Sequence, residues 1–306
     1  MSLPARLAQI AATCAVLSLV FYLLLGLMPG DPIDLAIMAD PRLTAEDAAR
    51  LRALHGLDQP LLARYLAWAA AVLRGEFGFS RLFAQPVAAL LWPALLSTLV
   101  LLGWAVGLAA VLGVGLGVLA ALRPRFSPAV QGVALLAQSV PGFWLGIMLI
   151  VVFAVWLGWL PAGGAAEEGD DWRFLVLPVA TLAFGQMAAY ARHATASMEA
   201  ALAEPWVRSA RARGASENRV ALVHALPNAS VPLLTLLGLD AGALVSGAVI
   251  TETLFARPGM GKLIFDAIMG NDYNLALLAL LVVAVVTMLG SLGADLAQRA
   301  LDPRLR

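Results

Sequence analysis

ALLSTLVLLGWAVGLAAVLGVGLGVLAAL, residues Ala94 to Leu122, contains no charged side chain. A helix of about 20 apolar residues spans the hydrocarbon core of a bilayer, and this stretch is long enough to do so. Lipid offers the backbone no hydrogen-bond partner, so a run of this kind has to satisfy its own N–H and C=O groups as a helix. Gly103 and Gly107, then Gly113 and Gly117, stand four apart, the small-residue spacing through which membrane helices approach closely.

The rest of the chain follows the same pattern. Of 306 residues, 61% are hydrophobic and 13% are charged, against about 25% charged in a soluble domain. Uncharged runs cover Leu7 to Gly30, Leu82 to Leu122, Phe126 to Ala166, Phe174 to Ala191 and Asn274 to Ala294. The second and third are too long for single spans. Pro86 and Pro93 restrict the second to Ala94 to Leu122, and the third is placed at Val130 to Trp156. A sixth span lies between Arg219 and Glu252, interrupted by Asp240. The fold class is an all-α membrane protein with six transmembrane helices.

Arginines in short loops favour the cytoplasmic side. Arg6, the pair Arg123 and Arg125, the group from Arg192 to Arg219, and Arg299, Arg304 and Arg306 all fall on one side of a six-span arrangement. Both termini are therefore expected in the cytoplasm. The first apolar run is too long for a signal peptide and is followed by no small-residue cleavage site, so it reads as an uncleaved span. Cys14 is the single cysteine, which excludes an intrachain disulfide. A formal net charge of zero gives no pointer to nucleic acid.

Three regions result: residues 1–30, the N-terminus and first span; 31–93, a long extracytoplasmic segment; and 94–306, the core with spans two to six. In the outer segment, Thr44 and Asp47 resemble a capping box and Gly56 can end the helix, which predicts a helix from Ala45 to His55. A second amphipathic helix, Leu61 to Leu73, carries Tyr65 and Trp68 and suits the membrane interface. The segment serves as a lid or as a docking surface.

The longest cytoplasmic loop, about 199–228, is built differently from the spans. Pro205 fits the first position of a helix, arginines follow, and Gly214 can take the left-handed conformation that stops it. Ser216 can then cap a second helix running toward His224. The product is a protruding, rigid turn. On physical grounds alone it is either a basic loop facing anionic headgroups or a docking element.

At this loop the chain resembles the inner-membrane permeases of ATP-binding-cassette importers, in particular the dipeptide and oligopeptide group. Those permeases carry Glu-Ala-Ala, three residues, Gly, nine residues, Ile, one residue, Leu-Pro. Here Arg208-Ser209-Ala210, Gly214, His224, Leu226 and Pro227 stand at the same spacing, and Arg208 and His224 follow the peptide subgroup's variant. The resemblance extends through Pro29-Gly30-Asp31-Pro32, Gly56-Leu57-Asp58-Gln59-Pro60-Leu61, Val140-Pro141-Gly142-Phe143-Trp144 and Gly158-Trp159-Leu160-Pro161. It continues through Thr251-Glu252-Thr253-Leu254-Phe255 with Pro258-Gly259, and ends at Leu301-Asp302-Pro303-Arg304.

The resemblance implies that Arg208, Ser209, Ala210, Arg211, Gly214, His224, Leu226 and Pro227 couple the chain to cytoplasmic ATPase subunits. It also implies a second, related permease subunit, an extracytoplasmic binding protein, and no cofactor in this chain, with ATP and magnesium held by the ATPase. Peptides are the implied substrate, with nickel complexes or glutathione as alternatives.

Other chemistry is sparse. ARPGMGKL, Ala256 to Leu263, imitates a phosphate-binding loop but has Ala256 in place of the first glycine and Leu263 in place of the magnesium-binding hydroxyl. His55, His193 and His224 are dispersed and lack metal-ligand spacing, so no metal site is expected. Asp240, Ala243, Gly247 and Thr251 share one helical face and are candidates for a pore wall or a close helix contact. An ion-coupled carrier would show inverted repeats and broken helices. An intramembrane enzyme would need a partner for Asp240.

Overall fold

The computed structural model describes residues 3–27, 59–166 and 172–301. The predicted helix Ala45 to His55 lies outside the described residues. Two compact units emerge, residues 1–94 with 263–285 and residues 95–262 with 286–306.

In the first unit, α1 (Leu3–Gly26) and α2 (Leu61–Leu73) form where the apolar runs predict them. Their contact is aromatic and polar. Tyr22 of α1 lies 5.6 Å from the Tyr65 ring and 5.8 Å from the Trp68 ring of α2. Ser18 Oγ and Tyr65 OH share a hydrogen bond of 2.8 Å. Trp68 Nε1 donates to Asn274 Oδ1, and Asn274 Nδ2 donates to the Phe77 carbonyl. The interfacial character expected of α2 thus comes with a specific function for both aromatics: they fix α2 to its neighbours.

A two-stranded hairpin, β1 (Phe79–Ser80) and β2 (Gln85–Pro86), precedes α3. It is tied to the turn before the last helix by one buried carboxylate. Asp272 is the N-cap of that helix, and its Oδ1 accepts the Leu275 N–H at 3.3 Å. Its Oδ2 accepts Ser80 Oγ at 2.6 Å and the Leu82 N–H at 3.0 Å.

The second unit holds most of α3 (Val87–Leu122), with α4 (Ser127–Ser139), α5 (Gly142–Leu149) and α6 (Arg173–Ala203). A π-helical turn, Ile150–Trp156, extends α5. Beyond α7 (Pro205–Ala212) and α8 (Glu217–Arg219), a second π-helical turn, Val220–Ala225, leads into α9 (Leu226–Leu254). The chain ends in α10 (Met260–Met269) and α11 (Tyr273–Leu301), both of which cross the boundary between units.

Two sequence expectations need correction, and the helix that holds the second span is longer than the span itself: α3 starts at Val87 and passes through Pro93. Pro93 lies early in the helix and removes a single backbone hydrogen bond there. The third span is not one straight helix. Its two halves are bent by 97° at the Val140–Pro141 break, where proline disfavours helical geometry in the residue before it and Val140 is extended, at φ −87° and ψ 120°. Of the four glycines in the second span, two make close helix contacts. A Cβ on Gly113 would sit 2.6 Å from Tyr190 Cβ, and one on Gly117 would collide with Ala194, whereas Gly103 and Gly107 have nothing within 4 Å.

Among the described residues, four helices are long and apolar enough to cross a membrane, and the bent pair makes five. The remaining predicted stretch is the 29-residue α9, helical from end to end across Asp240. The protein is an all-α, multi-pass membrane protein.

Removing the Asp272 carboxylate strands Ser80 and two backbone N–H groups at a buried site. Asp272→Ala should cost about 2–3 kcal/mol and open the hairpin, which limited proteolysis in detergent at residues 74–86 would report as a new cut.

Candidate coupling site

The loop after α6 is built by local chemistry that the sequence announces. Glu204 is extended at φ −64° and ψ 144°, and Pro205 occupies the first turn of α7, where its missing N–H has no helical partner to lose. The helix is closed at its other end by a Schellman motif. Gly214 has φ +83°, its N–H donates to the Arg211 carbonyl at 2.9 Å, and the Ala215 N–H donates to the Ala210 carbonyl at 3.2 Å. Nothing lies within 4 Å of a Cβ built on Gly214, so the requirement for glycine there is conformational and not steric. Ser216 is the N-cap of α8 by its extended backbone, although its side chain makes no cap hydrogen bond.

The turn is anchored from below. Val207, Ala210 and Val220 are buried together with Trp206, Leu202 and Ala215 packed on them. A second cluster joins Met198 and Ala201 of α6 to Ala221, Ala225 and Ala229, and Trp206 belongs to both. The helical chain leaving the turn is therefore continuous with α9 and packed on α6.

On the outside, Arg208, Ser209, Arg211 and Gly214 are exposed; Ala210 faces the core; His224 and Leu226 are half-buried, and Pro227 is exposed. Of the predicted coupling residues, Ala210 and Leu226 pack into the clusters below the turn, while Arg208, Ser209, Arg211, Gly214 and Pro227 face outward. Arg211 and Glu217 close the turn with two hydrogen bonds of 2.8 and 2.9 Å. The hydrogen bond from Arg211 holds the Glu217 carboxyl below its ordinary value, and the same bond holds the Arg211 guanidinium above its own. A depressed carboxylate adds stability above its unfolded pKa, about 4.3, and loses it as pH falls through the lower folded value. The pair is thus intact at neutral pH.

Of the suggested pore-wall residues, Thr251 is buried, and the side chains of Asp240, Ala243 and Gly247 lie outside the described residues. Next to Thr251 stands a group that the sequence shows only as the charge ending a span. Glu252 is fully buried. Its Oε1 accepts Thr98 Oγ1 at 2.6 Å; its Oε2 accepts the N–H of Gly261 at 2.7 Å and of Lys262 at 3.2 Å. Thr98 Oγ1 in turn accepts the Met260 N–H at 2.8 Å. Residues Met260 to Lys262 open α10, so the carboxylate takes the orphan N–H groups of that helix and lies at its positive end. The ARPGMGKL segment thus offers its N–H groups to an internal carboxylate. Gly259 and Gly261 admit that approach, since a Cβ on Gly259 would collide with the Glu252 carboxyl and one on Gly261 would lie 2.5 Å from Val249 Cα. Glycines seven and nine residues after an acidic residue, Gly259 and Gly261 after Glu252, are the trace of this in the sequence.

Long apolar helices with an exposed basic turn set on their ends define a multi-pass membrane component. The chain belongs to the family of binding-protein-dependent transport system inner membrane components, whose model matches residues 113–306. It is 37% identical to a probable peptide ABC transporter permease protein, y4tP, of Sinorhizobium fredii, over 98% of this chain and 97% of that one. It is 32% identical to the oligopeptide transport system permease protein AppB of Bacillus subtilis, covering 94% of each. It is 34% identical to the glutathione transport system permease protein GsiC of Escherichia coli, over 98% and 97%. Its fold matches a chain of the MetNI methionine ABC transporter in an inward-facing crystal form, with a TM-score of 0.60 over 71% of this chain and 98% of that one, at 20% identity.

Because only backbone conformation demands glycine at 214, Gly214→Ala should destabilise the turn by about 1–2 kcal/mol, and Gly214→Asn by less. Hydrogen exchange across residues 205–220 in detergent would check the order: alanine fastest, asparagine intermediate, wild type slowest.

Proposed function

We propose that the chain is the peptide-translocating permease subunit of an ABC importer and that the turn at 205–227 is the element through which ATP hydrolysis reaches it. The observation that carries this is the build of the turn. A short basic helix is closed by Gly214, fastened to α6 through Val207, Ala210 and Met198, and joined without a break in helix to α9. A headgroup-facing loop needs positive charge but has no use for a buried anchor or a fixed turn. A docking element needs both, because a push on Arg208, Ser209 or Arg211 has to move the helix behind them.

On this reading two ATPase subunits grip the turn and hold ATP and magnesium. A second, related permease subunit completes the pathway, and an extracytoplasmic binding protein delivers the cargo. The N- and C-termini lie in the cytoplasm with the turn. Arg208, Ser209, Arg211 and Gly214 form the contact; Ala210, His224, Leu226 and Pro227 hold its geometry. Peptide cargo is supported by the relatives named for peptide and oligopeptide transport, and the glutathione permease, itself named for a tripeptide, supports a short peptide with free ends.

Gly214→Val places a β-branched residue at a positive φ, which is strongly disfavoured. The variant permease should insert at normal level and lose the ATPase in a pull-down; full recovery of the ATPase together with normal peptide uptake would refute the assignment. The outer segment gives a separate test. Deleting residues 44–55 should abolish stimulation of ATP hydrolysis by loaded binding protein while basal hydrolysis persists, and unchanged stimulation would make that segment a lid.

A further inference from the structure

We infer that Glu252 is the positioning residue that makes α10 and α3 follow α9 when the coupling turn moves. The inference rests on the coupling reading above and adds the mechanical step at the other end of the helix. α9 leaves the turn as an unbroken helix and ends at Leu254. A continuous helix carries a displacement along its length, but that displacement is useful only where the helix is fastened to something else. Glu252 is where the far end of α9 is fastened.

The fastening has four parts, three of them buried and the Lys262 bond partly so. The carboxylate accepts the N–H groups of Gly261 and Lys262 and the hydroxyl of Thr98, and that hydroxyl accepts the Met260 N–H. Three elements therefore meet at one side chain: α9 through Glu252, the start of α10 through the Gly261 and Lys262 N–H groups, and α3 through Thr98, whose hydroxyl also takes the Met260 N–H. Hydrogen bonds to a charged group are the strong ones in proteins, and the carboxylate serves as the acceptor for two of the orphan N–H donors in the first turn of α10. The glycines at 259 and 261 remove the side chains that would otherwise hold the backbone away from the carboxylate. The end of α9 is also held by a backbone hydrogen bond just past it and by close packing of its last side chain on α5. Phe255 is buried, its carbonyl accepts the Gly164 N–H at 2.7 Å, and a Cβ on Gly146 would lie 2.6 Å from Leu254.

A cap that only stabilised α10 would not need to sit on α9 or to recruit α3. Asp272, which caps α11 and also accepts Ser80 Oγ and the Leu82 N–H, shows in the same chain that one capping carboxylate can tie distant segments together. Glu252 reaches across nine residues of sequence to α10 and across 154 to Thr98. Its removal should leave ATP hydrolysis by the ATPase at the turn's contact intact and let the far end of α9 move without α10.

The test uses the full complex with ATPase, partner permease and binding protein, reconstituted in liposomes, with Cys14→Ser and an environment-sensitive fluorophore on Phe265→Cys, an exposed site on α10. ATP with vanadate traps the ATPase closed, and retained ADP reports the turn while the fluorophore reports α10. Wild type should trap ADP and change its fluorescence. Glu252→Gln keeps the volume but presents an NH2 group to donors; it should trap ADP equally and lose the fluorescence change about tenfold, within the range of measured couplings between sites. Thr98→Val, which deletes two of the four bonds and keeps the shape, should lose part of it, and Thr98→Ser should restore it. An unchanged response in Glu252→Gln and Thr98→Val at equal trapping would overturn the inference, as would a wild type that traps ADP with no response at 265. Gly214→Val separates the two readings: loss of trapping there with a normal response in Glu252→Gln sinks the fastening alone, whereas normal trapping in Gly214→Val sinks the coupling role of the turn.

Discussion

The second unit depends on the approach of α3 to α6 at Gly113 and Gly117. In lipid there is no hydrophobic force between helices, and association rests on close van der Waals contact. A Cβ at either glycine would meet the α6 backbone or the Cβ of Tyr190 or Ala194. The same stripe of α6 continues toward its end through Ala191, Ala194, Met198 and Ala201, all buried. It is on Met198 and Ala201 that the chain leaving the Gly214 turn is packed. The glycine contact in the membrane and the placement of the turn are consequences of one helix face.

That arrangement explains why the turn can be small. α7 has eight residues and α8 has three, lengths at which an isolated helix has no stability of its own. Pro205 and the Schellman closure at Gly214 fix where the first begins and ends. The buried side of Val207 and Ala210 then makes the two short pieces one body with α6 and the start of α9. Arg211 and Glu217 close its outer edge, where exposure and salt leave them a minor contribution.

The parts of this structure that are legible in the sequence are those decided locally. Apolar runs locate the long helices, and Pro205, Gly214 and Ser216 locate the turn to the residue, because each acts through its own backbone. The parts that are not legible depend on what a residue meets. The bend at Val140 follows from Pro141, yet an uncharged run hides it. Gly103 and Gly107 have the same spacing as Gly113 and Gly117 and meet nothing. Glu252 reads as a boundary charge, and only the fold brings it to Thr98 and the first turn of α10.

The central claim is that the turn around Gly214 touches the ATPase, and a photocrosslinker at its exposed crest tests it most directly. With benzoylphenylalanine in place of Ser209 in the assembled complex, irradiation should join this chain to the ATPase subunit, and the yield should change when ATP and vanadate trap the closed state. Adducts with lipid alone, at a position shown to be labelled, would contradict the account.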